Sequence, residues 1–234
     1  MAIEWQSDKY DAVYATGGAD LIYELPYRHS GYYPLFKAVL KALRAHESKS
    51  ILEVGCGTGG FAHLWFDTDA ALHYRGFDFS PVAVERAIER TRRPEVFFVG
   101  DARNSQSYLG KFDTIVCTEV LEHIDADLEV IEQWVDGSFC VCSVPNFPAE
   151  NHVRVFSSED QVKERYGALI DISKIFKVKK PYLFDLSWQS YLREIRWNRY
   201  RPARLARILG LASFEEAGGW YVFVGRRTSN PKAT

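Results

Sequence analysis

Residues 51–60 read ILEVGCGTGG. An apolar run suited to a buried strand ends in glycines at 55, 57, 59 and 60, and GGFAHLWF then starts a helix. A strand, a glycine loop and a helix in this order let the backbone approach a ligand closely and aim the first helical N–H groups at it. The spacing admits two readings. Gly55, Gly57 and Gly59 make GxGxG, whereas Gly55, Gly57 and Gly60 make GxGxxG, the fingerprint of dinucleotide-binding folds.

Strands and helices alternate outward from this loop. Upstream, PLFKAVLKALRAH (34–46) has helical periodicity and a proline suited to its first turn. Downstream, HYRGFDF (73–79) reads as a strand, and Ser80 caps the helix PVAVERAIERT. VFFVGDA (96–102), FDTIVCTEV (112–120) and SFCVCSVPN (138–146) read as strands, with the helical pattern DADLEVIEQWV before the last. This alternation predicts an α/β fold with a parallel sheet and helices on both faces. Residues 1–30, broken by Gly17-Gly18, read as a cap without regular structure. After residue 150 the pattern loosens. SSEDQVKERYG reads as a short capped helix, KIFKVKKPYLF as a strand, and SWQSYLREIRWNRY and PARLARILG as helices. FEEAGGWYVFVGRR reads as a hairpin turning at Gly218-Gly219, and SNPKAT as a frayed end. The expected organisation is one domain: cap and helix over 1–46, core over 48–147, further elements and hairpin over 148–227, tail over 228–234.

Composition excludes several classes. With 234 residues, 47% hydrophobic and 26% charged, the chain can bury a core without disulfides or structural metal. No apolar run approaches the length of a membrane span, and MAIEWQSDKYDAVY lacks the basic and apolar regions of a signal peptide. The four cysteines (56, 117, 140, 142) lie in or beside apolar runs and form no CxxC pair, which predicts buried free thiols and a cytoplasmic setting. The net charge of −2 hides an asymmetry: 13 basic and 23 acidic residues over 1–150, net −10, against 16 and 8 over 151–234, net +8.

Asp78 ends the strand after the glycine loop, 23 residues beyond Gly55, where a carboxylate can hold ribose hydroxyls; both glycine readings predict it. A dinucleotide-binding domain often opens on its glycine strand, whereas about fifty residues precede this one. The motifs together resemble the class I S-adenosylmethionine-dependent methyltransferases. EVGCGTG is similar to that family's first motif, FDFSPVAVERA to its second, VGDA to its adenine-contacting turn and FDTIVCTEVLEHI to its fourth-strand motif. The resemblance implies a Rossmann-like seven-stranded sheet, mostly parallel with an antiparallel C-terminal strand. It also implies S-adenosylmethionine as cofactor. Glu53, Gly55, Cys56, Gly57 and Gly59 would line its methionine end, Asp78 would take the ribose hydroxyls and Phe79 would pack near the adenine. Asp101, followed by Ala102, would face the adenine amino group, and Thr118 and Glu119 would border the site of transfer. Asp101 also reads as a turn residue after a strand.

A sulfonium methyl is already activated, so the enzyme chiefly orients an in-line displacement. A hydroxyl acceptor also needs its proton removed or its oxygen polarised. Glu119, Glu122 and His123 read ExxEH after the fourth strand, and would share one face if a helical turn starts there. With His152 from the loop after the fifth strand, they could hold a divalent cation, Mg²⁺ or Mn²⁺. Without metal, His123 or His152 would serve as general base, or both would simply shape the loop. The ExxEH region resembles the ubiquinone-pathway O-methyltransferases and the methyltransferases of small-RNA 3′ ends, families that bind such a metal.

The first 36 residues hold eight aromatics, which would pack the cap or stack on an acceptor. Residues 188–210 hold six arginines interleaved with Trp197 and Tyr200, opposed by Glu194 alone. They read either as a solvated helix face or as the binding surface of an anionic acceptor. Three functions follow: an O-methyltransferase of a hydroxylated small molecule or glycan or nucleotide-linked intermediate, a metal-assisted RNA 2′-O-methyltransferase, and a non-catalytic S-adenosylmethionine-binding protein.

Overall fold

In a computed structural model, residues 3–18, 23–69, 73–183 and 187–229 are described. The glycine-loop strand is β1 (Ser50–Val54). It lies between β2 (His73–Asp78) and β4 (Thr114–Thr118), parallel to both. β3 (Phe97–Val99) extends one side, while β5 (Phe139–Pro145), β7 (Gly219–Arg227) and β6 (Ile170–Lys179) extend the other. The seven strands run β3-β2-β1-β4-β5-β7-β6, and β7 alone is antiparallel. The order reverses between β1 and β4, which opens a crevice at their carboxyl ends.

Alternation along the strands builds two cores. Ile51, Val116, Val141 and Val222 face one side with α2 (Tyr33–His46), α3 (Gly60–Asp69) and α4 (Pro81–Thr91). Leu52, Val54, Ile115, Cys117 and Phe223 face the other with α5 (Asp127–Glu132), Trp134 and Tyr166. Cys140 and Cys142, two residues apart on β5, share this second face. All four cysteines are buried and free, as expected. The Ser80 cap is present, its hydroxyl accepting from Ala83 N–H. Ser158 likewise caps α6 (Glu159–Tyr166).

Three expectations need correction. Residues 7–15, expected to be irregular, form helix α1 (Ser7–Ala15). SDKYDAVYA has no apolar stripe, so its periodicity is silent; packing against α4 and a bond from the Ser80 hydroxyl to Asp11 hold it. The hairpin at Gly218-Gly219 does not form. Ser213 and Glu216 make a capping box on α9 (Phe214–Ala217), and Gly218, at φ +75°, ends that helix. β7 inserts between β5 and β6, so its partners come from distant sequence rather than from the preceding turn. The strand placed in KIFKVKKPYLF starts earlier, at Ile170, and ends at Lys179. The expected fraying at the end of the chain falls, from residue 230, outside the described residues. Among the described residues no helix is long and apolar enough to cross a membrane.

Candidate active site

A cavity of about 530 Å³ lies at the carboxyl ends of β1, β2 and β4. Its floor is the glycine loop. The loop's backbone turns left-handed at Gly55 (φ +68°) and Gly57 (φ +51°). A Cβ at Gly55 would lie 2.3 Å from Val120 Cγ2, whereas one at Gly57 would make only an ordinary contact, 3.8 Å from the Tyr14 hydroxyl. Gly55, Cys56 and Gly57 line the cavity. Gly59, read from sequence as part of the cofactor site, is not among the lining residues. Its Cβ position faces Ala87 of α4 at 3.0 Å, so this glycine lets two helices approach.

Asp78 holds the loop in place. Its carboxylate accepts from Gly57 N–H (2.9 Å) and Ser80 N–H (3.0 Å), and burial pushes its pKa up to about 6. Glu53, buried on β1, accepts from the Tyr74 hydroxyl, and burial pushes it up to about 8. Both carboxylates line the cavity, with Phe79, Asp101 and Ala102. Asp101 makes both of its expected contacts possible. It accepts from Arg103 N–H (2.9 Å) as a turn residue, yet remains at the cavity wall, paired with the Arg103 guanidinium at 3.2 Å.

The N-terminal segment closes the cavity from above. Tyr10 and Tyr14, four apart on α1, face inward. The Tyr10 ring packs edge-on to Phe79 (5.2 Å) and His123 (6.0 Å), and its hydroxyl accepts from Asn151 (3.1 Å). Glu4 spans the mouth, pairing with Arg103 (3.0 Å) and accepting from Asp125 N–H (2.8 Å). The i,i+4 tyrosines were the readable trace of this cover.

The ExxEH stretch is not a helical turn. Glu119 takes φ +58° just beyond β4, and only Leu121–His123 form a 3-10 turn. Ser143, whose hydroxyl accepts from Glu119 N–H (3.1 Å), holds Glu119 at that bend. Glu122, His123 and His152 do converge, with one potential ligand atom from each within 4.8 Å of the others. Glu119 is outside that group, a correction to the four-residue set. Asn151 and Phe147 carbonyls accept from His123 Nδ1 (2.9 Å) and His152 Nδ1 (3.0 Å); a carbonyl cannot donate, so each Nδ1 carries the proton. Burial lowers His123 to about 4 and also lowers His152, so both rings are neutral with bare Nε2 atoms. Glu122 is fully buried, and neither carboxyl oxygen has a fixed donor. Burial raises both acids, Glu119 to about 7, and the neighbouring Glu119 carboxyl raises Glu122 further. Two bare imidazole nitrogens beside a buried orphan carboxylate fit a divalent cation.

Residues that sequence reading missed bring the two loops together. Val153 N–H donates to Glu122 C=O (2.8 Å). The Arg154 guanidinium donates to the carbonyls of Leu121 (2.7 Å), Ile124 and Asp125 (2.9 Å), and pairs with buried Asp127 at 3.2 Å. Lys180, just past β6, lines the cavity 4.5 Å over the Phe147 ring. The basic run KVKK was its only signal. The arginine segment, read either as a solvated face or as an acceptor surface, contributes no residue to the cavity wall. It lies on α7 (Trp188–Asn198), α8 (Pro202–Ile208) and their flanks, outside the crevice.

Strand order, glycine loop and cavity together define the class I methyltransferase fold. The profile of a family described as a methyltransferase domain matches residues 27–209, and the chain belongs to that family. None of the curated proteins matches in sequence. Three solved structures are similar in fold. One is the complex between the Haloferax volcanii Trm112 methyltransferase activator and a methyltransferase (17% identity, 97% of this chain and 99% of that one, TM-score 0.64). The second is the methyltransferase domain of bacterial CtHen1 (16%, 84% and 100%, 0.57). The third is Haemonchus contortus phosphoethanolamine N-methyltransferase 2 with S-adenosyl-L-methionine (14%, 94% and 60%, 0.59).

Proposed function

We propose that this chain transfers the methyl group of S-adenosylmethionine to a hydroxyl of a small acceptor, with a divalent cation held by Glu122, His123 and His152. The observation that carries this reading is the pair of bare Nε2 atoms facing the buried, donor-free Glu122 carboxyl beside the cavity. Two nitrogens and a carboxylate suit Mn²⁺ better than Mg²⁺. When bound, the cofactor supplies an activated methyl and the cation polarises the acceptor hydroxyl. The chain's own residues do the rest. Gly55 and Gly57 leave room for the methionine end, with Glu53 and Cys56 in the wall, and Asp78 accepts from the ribose hydroxyls. Phe79, Asp101 and Ala102 bound the adenine. Thr118 and Glu119 border the transfer point. With both groups bound, Glu119 at the transfer point would take the acceptor hydroxyl's proton as the methyl passes from sulfur to oxygen.

The cover formed by Glu4, Tyr10 and Tyr14 favours a small acceptor over an RNA end, and Lys180 favours one with an anionic group near the hydroxyl. The second reading is an RNA 2′-hydroxyl, supported by the resemblance of the ExxEH region to methyltransferases of small-RNA 3′ ends. The test is methyl transfer from labelled S-adenosylmethionine to a panel of catechols, hydroxylated carboxylates, nucleotide sugars and short RNAs, with EDTA or Mn²⁺. Transfer to a small hydroxylated anion that EDTA abolishes and Mn²⁺ restores supports the proposal. Full activity in EDTA, or transfer to amines alone, overturns it.

A further inference from the structure

Residues 187–212 carry six arginines, and all six are exposed. None makes an ion pair among the described residues. The one acid in this stretch, Glu194, turns inward and accepts from Asn198 (3.3 Å). Large apolar groups are exposed among the arginines: Trp188 at 71%, Trp197 at 70%, Tyr200 at 83% and Leu211 at 74%. Arg193 lies over Trp197 (5.6 Å) and Arg199 over Tyr200 (4.5 Å). The inward side is Tyr191, Ile195 and Asn198, and Tyr191 bonds the Ile208 carbonyl (2.8 Å), which fixes α7 against α8. Apart from Arg207, which donates to the Glu216 carbonyl, and Arg204, 5.9 Å over the Tyr182 ring, the outward side chains make no hydrogen bond, ion pair or ring contact beyond their own segment among the described residues. Exposed apolar surface of this kind is costly in water and marks an interaction site.

We propose that this face docks onto the surface of an anionic lipid bilayer. Arginines would meet lipid phosphates, and Trp188, Trp197 and Tyr200 would sit at the headgroup level, where amphipathic rings are favoured. Leu192, Leu209 and Leu211, exposed beside them, would reach the acyl boundary. A nucleic acid would use the arginines and the rings but has nothing to offer three leucines. A two-fold contact with a second copy of the chain is disfavoured by charge, because it would set six arginines against six. The segment joins the cavity through β6: Lys179 Nζ donates to the Ala212 carbonyl (2.6 Å), and the next residue is Lys180.

The experiment is flotation of the full chain with vesicles of equal phosphatidylglycerol and phosphatidylcholine, or of phosphatidylcholine alone, combined with tryptophan quenching by brominated lipid. The chain should bind the anionic vesicles at least tenfold more tightly, and less tightly as salt rises. Trp65, Trp134 and Trp220 are buried and Trp5 is half-buried at the cavity, so quenching should fall to the residual of Trp5 in the double variant Trp188→Phe, Trp197→Phe. Arg193→Gln with Arg196→Gln should weaken binding about 25-fold, at about fivefold per charge. Both pairs are exposed, so the circular dichroism and melting temperature should not change. Absence of binding to anionic vesicles, quenching undiminished in the tryptophan variant, or binding that survives the arginine variant overturns the proposal. So does binding of a short RNA that needs the same residues while vesicles fail to bind.

Discussion

Replacing Glu53 with Gln isolates the cost of a buried acid in the cavity floor. Glu53 is 3% exposed, and its pKa rises from 4.5 to about 8 because burial disfavours the charged form, with Asp78 adding repulsion. The native state therefore keeps a proton that the unfolded chain loses. Stability from this group is complete below pH 4.5 and is lost as pH rises to 8. A shift of 3.5 pH units corresponds to about 5 kcal/mol, an upper limit. Gln preserves the bond from the Tyr74 hydroxyl and cannot ionise. Urea unfolding of the ligand-free chain at pH 5 and pH 8.5 reads the effect. Asp78 and Glu119 also have raised pKa values and add slopes of the same sign, but they are common to both proteins and cancel in the difference. The variant should gain about 2–5 kcal/mol on wild type between the two pH values. A difference that is the same at both would refute a neutral Glu53 in the folded state.

Other perturbations separate the roles of neighbouring residues. Gly59→Ala, strained at φ +74° and crowded by Ala87, should cost about 2–3 kcal/mol of stability and leave S-adenosylhomocysteine affinity nearly unchanged by calorimetry. Gly57→Ala should cost only about 1–2 kcal/mol of stability yet weaken that affinity more, since its methyl enters the cavity. His152→Ala should weaken Mn²⁺ binding, read by electron paramagnetic resonance, with S-adenosylhomocysteine affinity retained. Arg154→Met should weaken Mn²⁺ roughly 10–100-fold by loosening the carbonyls of Leu121 and Ile124 around Glu122.

The sheet was legible because its signals are local. Alternating apolar strands, the Ser80 cap and glycines at left-handed positions are properties of short windows. What escaped depends on distant partners. Helix α1 has no apolar stripe and exists because α4 supports it. β7 could not be separated from a hairpin because its neighbours, β5 and β6, end 74 and 40 residues before it begins. At the site, Glu122, His123 and His152 could be picked out as ligand types, but their meeting depends on Val153 and Arg154 binding the backbone of the other loop. The positive φ at Glu119, which breaks the helical turn, has no mark in the sequence, since a helical spacing of three and four fits ExxEH equally well. The arginine segment shows the converse: its composition was conspicuous, and its place outside the cavity was not.

The most direct test of the central claim is anomalous diffraction at the manganese edge, from crystals grown with S-adenosylhomocysteine and soaked in Mn²⁺. The account predicts one strong peak at roughly 2.0–2.3 Å from His123 Nε2, His152 Nε2 and a Glu122 oxygen, facing the cofactor's sulfur. Density for S-adenosylhomocysteine in the cavity with no peak at these three residues would contradict it.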